Sequence, residues 1–120
     1  MVAHEAHAAR RIKKALLLHG FDVDAAVDGN AGLRRLSAND YDLVLMDLPL
    51  PDMDGQEAAR IIRTSPGLAA KAHLPIVGLS GAPAKRQRAQ SRERGLDAVI
   101  SKPLDVAVLV GTITSLMPRA

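Results

Sequence analysis

The chain has 120 residues, 48% of them hydrophobic, with 16 Lys and Arg against 13 Asp and Glu and a formal net charge of +3. That length and apolar share predict one domain over residues 1–120, long enough to bury about two thirds of its unfolded surface in a single core. With no cysteine, no apolar run near roughly 18 residues, and one Tyr, one Phe and no Trp, the composition argues against disulfides, thiolate chemistry, a membrane-spanning helix and base-stacking on single strands. The start, Met1-Val2-Ala3-His4-Glu5, lacks a signal-peptide pattern, so the expected location is cytoplasmic, with no membrane partner.

Elements alternate along the chain. Met1-Val2-Ala3 is the candidate first strand, three residues where about five or six are usual. A helix follows over residues 6–19, closed by Gly20. Phe21, Val23, Ala25 and Val27 then alternate with Asp22, Asp24 and Ala26, the period expected of a strand with one solvated face at a sheet edge. Residues 31–36 read as a second helix. The apolar run 43–46, and the shorter runs Ile76-Val77 and Ala98-Val99-Ile100, fit parallel strands covered by helices on both faces. Helical patterns occupy 55–63, closed near Ser65-Pro66-Gly67, and 83–94, closed by Gly95. A last helix begins near Asp105, which caps its first turn. Val106, Leu109, Val110, Ile113, Leu116 and Met117 form its apolar stripe. Strict alternation with connections of this length predicts an α/β fold of about five parallel strands, wound by right-handed crossovers.

Asp47 stands directly after the apolar run 43–46 and before a Pro/Asp/Gly-rich segment. It reads as a carboxylate at the exposed end of a buried strand. Ligands of open α/β sheets bind in the crevice beyond the carboxyl ends of the strands, so an ionisable group there is a site candidate. Asp54 and Gly55 read as structural, starting the third helix and permitting a tight turn, and Pro51 likewise.

The run Asp47-Leu-Pro-Leu-Pro-Asp-Met-Asp-Gly55, the strand Pro75-Ile-Val-Gly-Leu-Ser80 and the pair Lys102-Pro103 together resemble the receiver domain of two-component response regulators. The resemblance extends over essentially the whole chain and is nearest to receivers of hybrid histidine kinases. It implies a flavodoxin-like (βα)5 fold, a doubly wound five-stranded parallel sheet whose short first strand lies centrally. It also implies that Asp47 accepts a phosphoryl group from a histidine of a sensor kinase or phosphotransfer protein, in the manner of a signalling domain rather than a conventional enzyme.

Phosphoryl transfer needs an anionic nucleophile in line with the donor and positive charge where the equatorial oxygens develop theirs. The resemblance makes Asp47 the nucleophile, with Lys102 contacting one phosphate oxygen and Ser80 another. It assigns a magnesium ion to Glu5, Asp47 and the backbone carbonyl of Pro49. It further implies a homodimer through the fourth helix, fifth strand and fifth helix, and often a cis bond at Lys102-Pro103.

This sequence departs from the family pattern at three places. His4-Glu5 stands where two adjacent acidic residues are usual, leaving the metal pocket one carboxylate short and predicting weaker magnesium binding. Val99, three residues before Lys102, stands where a Tyr or Phe commonly swings between states; it also reads simply as a β-branched residue, core or surface, of a parallel strand. Pro49 and Ala82 lack polar groups where side chains assist hydrolysis, predicting slow unassisted dephosphorylation with Gly81 leaving the site open.

Other features have plainer readings. His4 and His7 lack metal-site spacing and read as solvent-exposed. Lys85, Arg86, Arg88, Arg92 and Arg94 read as a solvated helix face, or a docking surface for an acidic partner. No groove-reading motif accompanies them, so nucleic acid is not expected as a partner. The main alternative function is a degenerate receiver, acting as a phosphorylation-independent interaction module. An unrelated aspartyl-phosphate phosphatase is disfavoured by Pro49, where such an enzyme needs a second acid.

Overall fold

A computed structural model of the chain describes residues 1–3, 6–48, 50–80, 96–101 and 105–117, with the backbone alone described at 6–8, 80 and 101. Three strands form regular ladders among these residues: β1 (Val44–Asp47), β2 (Ile76–Ser80) and β3 (Ala98–Ser101). All pair in parallel in the order β1-β2-β3, with Val44 opposite Ile76, Asp47 opposite Leu79, Val77 opposite Ala98 and Ser80 opposite Ser101.

The candidate first strand is present as a single residue. Val2 forms isolated parallel bridges with both Ala26 and Met46. The Val2 N–H donates to the Leu45 carbonyl (2.8 Å) and its own carbonyl accepts from the Asp47 N–H (2.8 Å). On the other flank, Ala3 N–H reaches the Ala26 carbonyl (2.9 Å) and Ala26 N–H the Met1 carbonyl (2.8 Å). The bridges extend the parallel sheet, so the segment at Ala26 lies outermost, then Val2, then β1, β2 and β3. Five chain segments thus run parallel, with the N-terminal one inside the sheet, as expected.

The expected strand over 21–27 is reduced to the bridge at Ala26, and its inward pattern is corrected. Phe21 and Val23 do pack inward while Asp22 and Asp24 are exposed, but Ala26 is buried (6%) and Val27 is 60% exposed. The reason is the covered sheet: Ala26 meets the second face, against Val2. Val27 falls beyond the last bridge, in the bend leading to the next helix.

Helices α1 (Ala6–Leu18), α2 (Gly29–Ala38), α3 (Gly55–Thr64) and α4 (Val106–Leu116) begin and end where the local chemistry allows. Gly20 has φ +87°, the left-handed region glycine occupies without a Cβ penalty, and it closes the turn after α1. Asp28 caps α2 by accepting from the Ala31 N–H (2.7 Å), Asp54 caps α3 through the Gln56 N–H (2.8 Å), and Asp105 caps α4 through Ala107 (2.8 Å) and Val108 (3.3 Å). A 3-10 helix, Pro66–Lys71, follows α3 directly, beginning within the Ser65-Pro66-Gly67 stretch expected to close that helix. The expected helix over 83–94 lies outside the described residues.

Alternation along the strands splits the core. Val2, Ala26, Val44, Met46, Ile76 and Val99 face Leu36 of α2, Ala58, Ala59 and Ile62 of α3, and Leu68 of the 3-10 helix. Leu45, Val77, Leu79 and Ile100 face Leu16 of α1 and Leu109 and Ile113 of α4. This is the doubly wound arrangement expected. Val106 of the expected α4 stripe is a correction: it is 40% exposed at the first turn, while Leu109 and Ile113 carry the burial.

Candidate functional site at the carboxyl edge of the sheet

Asp47 is the last residue of β1, and two neighbours fix its backbone. Its N–H donates to Val2 on one side, and the next N–H, of Leu48, donates to the Leu79 carbonyl (3.0 Å) on the other. Asp47 is 6% exposed, one of two buried polar or charged residues among those described. Such burial of a carboxylate needs a compensating partner, and Asp47 is not without interactions.

The register places the other candidates along the same edge. Ser80 ends β2 one position beyond Leu79, the partner of Asp47, and pairs with Ser101. Lys102 follows Ser101 directly in sequence. Lys102, Glu5, Pro49 and His4 lie outside the described residues, as do Gly81 and Ala82. Val99 is 6% exposed and packed in the core on the α2–α3 face, which decides between the core and surface readings of this β-branched residue.

The chain leaving Asp47 is pressed against the start of α3. A Cβ added at Gly55 would lie 2.5 Å from the Asp47 carbonyl oxygen and 2.7 Å from the Leu48 Cα, so this glycine permits a backbone approach that no other residue allows. The Gly55 N–H donates to the Leu48 carbonyl (2.5 Å). Leu48 itself lies over Gly78 of β2, where an added Cβ would come within 2.9 Å of its Cδ2.

Asp52 is the residue that sequence reasoning overlooked. Its Oδ1 accepts from the Gly29 N–H (2.8 Å) and its Oδ2 from the Asn30 N–H (2.9 Å), joining the loop after Asp47 to the N-terminus of α2. These bonds, from Asn30 first and Gly29 second, hold its carboxyl below the ordinary Asp range. Met53 packs in the same place, 2.6 Å at its Cγ from where a Cβ on Gly29 would stand. Nothing in the spacing Asp52-Met-Asp54 signals a partner more than twenty positions upstream.

The expected cation fits the chemistry of the donors. Carboxylate and carbonyl oxygens suit a hard divalent ion such as magnesium, which binds through few protein oxygens. Asp47 supplies one such carboxylate at the edge. Among the described residues there is no cluster of three His, Cys, Asp or Glu side chains, and the other two expected donors, Glu5 and the Pro49 carbonyl, lie outside them.

The chain is similar to known proteins over nearly its whole length. A family model described as the response regulator receiver domain matches residues 1–114. The sensor protein EvgS of Escherichia coli (strain K12) is 36% identical over 98 residues, which cover 82% of this chain and 8% of that protein. The response regulator ArlR of Staphylococcus saprophyticus is 32% identical over 119 residues, covering 99% of this chain and 51% of that protein. The chain therefore spans at most about half the length of these curated relatives. Among solved structures, the signal receiver domain of a signal transduction histidine kinase from Syntrophus aciditrophicus superimposes with a TM-score of 0.82 at 28% identity, covering 96% of this chain and 85% of that one. A response regulator from Chloroflexus aurantiacus superimposes at 0.87 over 98% and 94% of the two chains, a likeness of fold at 24% identity.

Proposed function

Because this chain belongs to the response regulator receiver domains of two-component systems, we propose that Asp47 is its phosphoacceptor. An Asp47 carboxylate oxygen attacks the phosphorus of a phosphohistidine. The phosphorus–nitrogen bond breaks, its electron pair stays on the imidazole, and a mixed anhydride forms on Asp47. The observation that carries this reading is the placement of Asp47: a buried carboxylate ending an interior strand, held by backbone bonds from both neighbours, beside the end of β2 at Ser80.

The remaining roles rest on sequence position. Lys102 supplies a point charge and Ser80 a hydroxyl to the phosphate oxygens, and Glu5, Asp47 and the Pro49 carbonyl hold magnesium. When bound, the ion offsets repulsion between the carboxylate and the incoming phosphate. We assign the donor to a histidine kinase or phosphotransfer protein, in line with a sensor protein and a response regulator among the relatives. The whole chain, 1–120, is taken as one receiver unit acting in the cytoplasm. Among the described residues no helix is long and apolar enough to cross a membrane. Dimerisation through the 83–94 segment, β3 and α4 belongs to the same proposal.

Incubation with magnesium and a small phosphodonor, read by intact mass, tests the assignment. A phosphate-sized gain that Asp47→Asn abolishes is the expected result; no gain at saturating donor sinks it. The second reading, an interaction module that works without phosphorylation, is favoured by Val99, packed in the core at the position of the family's swinging aromatic ring. Partner binding unchanged by Asp47→Asn would support it.

A further inference from the structure

We infer that the amino edge of the sheet, at the far end of β1 from Asp47, carries a docking groove for a basic amphipathic segment of a partner protein. The inference is independent of the phosphoacceptor reading. The groove has a volume of about 540 Å³. Gly20 and Met117, just past α1 and α4, line it together with the residues that lead into the bridge at Ala26 and into β1. Asp42, one of these, precedes Asp47 by five residues, roughly 16 Å of extended chain at about 3.3 Å per residue. A partner seated here therefore leaves the carboxyl edge open.

The apolar part of the lining is Leu16, Phe21, Leu43, Ile113 and Met117. Leu16 and Ile113 are buried, but Phe21, Leu43 and Met117 are only half-buried and offer apolar surface to whatever enters. Between the lining residues Leu16 and Gly20, the last turn of α1 presents Leu17 and Leu18, which are 48% and 79% exposed. Large side chains left in water at one end of a fold mark a surface suited to a partner.

The polar part of the lining gives that partner its charge. Asp22, Asp24, Asp40 and Asp42 all line the groove and no Lys or Arg does, in a chain whose net charge is +3. The Met1 amine is taken by the Asp24 carbonyl (2.6 Å), the Asp24 carboxylate accepts from the Tyr41 hydroxyl (2.7 Å), and Asp40 lies 3.6 Å from Lys71. The Asp22 and Asp42 side chains are exposed and have neither a hydrogen bond nor an ion pair among the described residues. Carboxylates gathered around an apolar groove repel phosphates and acidic headgroups, which disfavours nucleic acid and an anionic membrane. Lys or Arg beside large apolar side chains meets both halves of the lining, and an amphipathic helix laid in a groove presents both at once.

The experiment titrates the chain with synthetic peptides of about 14 residues, several helical turns, and follows amide chemical shifts. One peptide sets Leu on one helical face and Lys on the other; in a second every Lys is Glu, and in a third every Leu is Ser. Only the Leu/Lys peptide is expected to bind, with shifts centred on Phe21, Asp22, Asp42 and Ile113 and an affinity that falls as salt is raised. Neither Asp22 nor Asp42 supports another group, so the double variant Asp22→Asn, Asp42→Asn should fold as the parent does and bind about five- to tenfold more weakly. Glu57→Gln, which removes an exposed charge on α3, should leave the affinity within about twofold. Shifts centred elsewhere, equal binding of the Leu/Glu or Ser/Lys peptide, no binding of the Leu/Lys peptide, or undiminished affinity in the double variant overturns the inference.

Discussion

Replacing Gly55 with alanine tests how closely the backbone of Asp47 is held. The new methyl carbon would start 2.5 Å from the Asp47 carbonyl oxygen and 2.7 Å from the Leu48 Cα, where ordinary contact is 3.4–4 Å. Both obstacles are backbone, so no side chain can rotate away. The strand end or the start of α3 must retreat by about 1 Å, an overpacking cost of roughly 1–3 kcal/mol. Alanine returns up to about 1 kcal/mol through its helix preference. The expected net loss is about 1–2 kcal/mol, or a melting temperature lower by roughly 3–10 °C. The displaced backbone carries Asp47, the proposed nucleophile, and a misplacement near 1 Å can cost about a hundredfold in rate. Phosphorylation by a small donor should therefore slow at least about tenfold. Thermal unfolding by circular dichroism and time-resolved intact mass give the two numbers. A Gly55→Ala chain as stable as the parent and phosphorylated at the parent's rate refutes the close-approach argument.

Other expectations rest on single contacts. Arg63 donates to the Ala72 and Leu74 carbonyls, both at 2.6 Å, and pairs with Asp97 at 2.8 Å, so Arg63→Ala should cost about 2 kcal/mol in urea unfolding. Burial lowers the Met1 amine from its ordinary 8.0 to about 6, outweighing attraction from Asp24. Between those values the unfolded chain binds the extra proton, so the 120-residue chain should gain roughly 2 kcal/mol of stability from pH 6 to 8, a rise that disappears on acetylating the amine. His4→Asp restores a second carboxylate beside Glu5 and should tighten magnesium binding several-fold in calorimetric titration; an unchanged affinity would place His4 away from the ion. Val99→Ala should cost about 1–2 kcal/mol as a core truncation and leave the phosphate mass gain intact.

The sheet was legible because apolar runs such as 43–46 carry their own signal, and capping aspartates at 54 and 105 marked helix starts within a residue of the observed positions. The strand at 21–27 misled because alternation assumes one solvated face, whereas here Ala26 and Phe21 serve opposite cores. Asp47 could be found from its neighbours, since a charge after four apolar residues is local information. Asp52 could not: its partners, Gly29 and Asn30, are brought to it by the winding of the chain. Pro66 and Gly67 mark the end of α3 correctly but carry no signal for the short 3-10 helix that they open.

The sheet is unevenly stitched. From β1 through β3 each junction is a ladder of four residue pairs, while Val2 is joined by one bridge on either side. Local opening should therefore begin along the line between Val2 and β1, releasing the N-terminal segment while the three-stranded block stays closed as its own cooperative unit. Asp47 sits on that line. Its own amide bonds to Val2 and the amide of Leu48 bonds to Leu79, so adjacent protons face opposite sides of the boundary. In native-state hydrogen exchange the first should trade with solvent through the smaller opening and the second only with the larger one, making two neighbouring amides a gauge of how independently the two halves breathe.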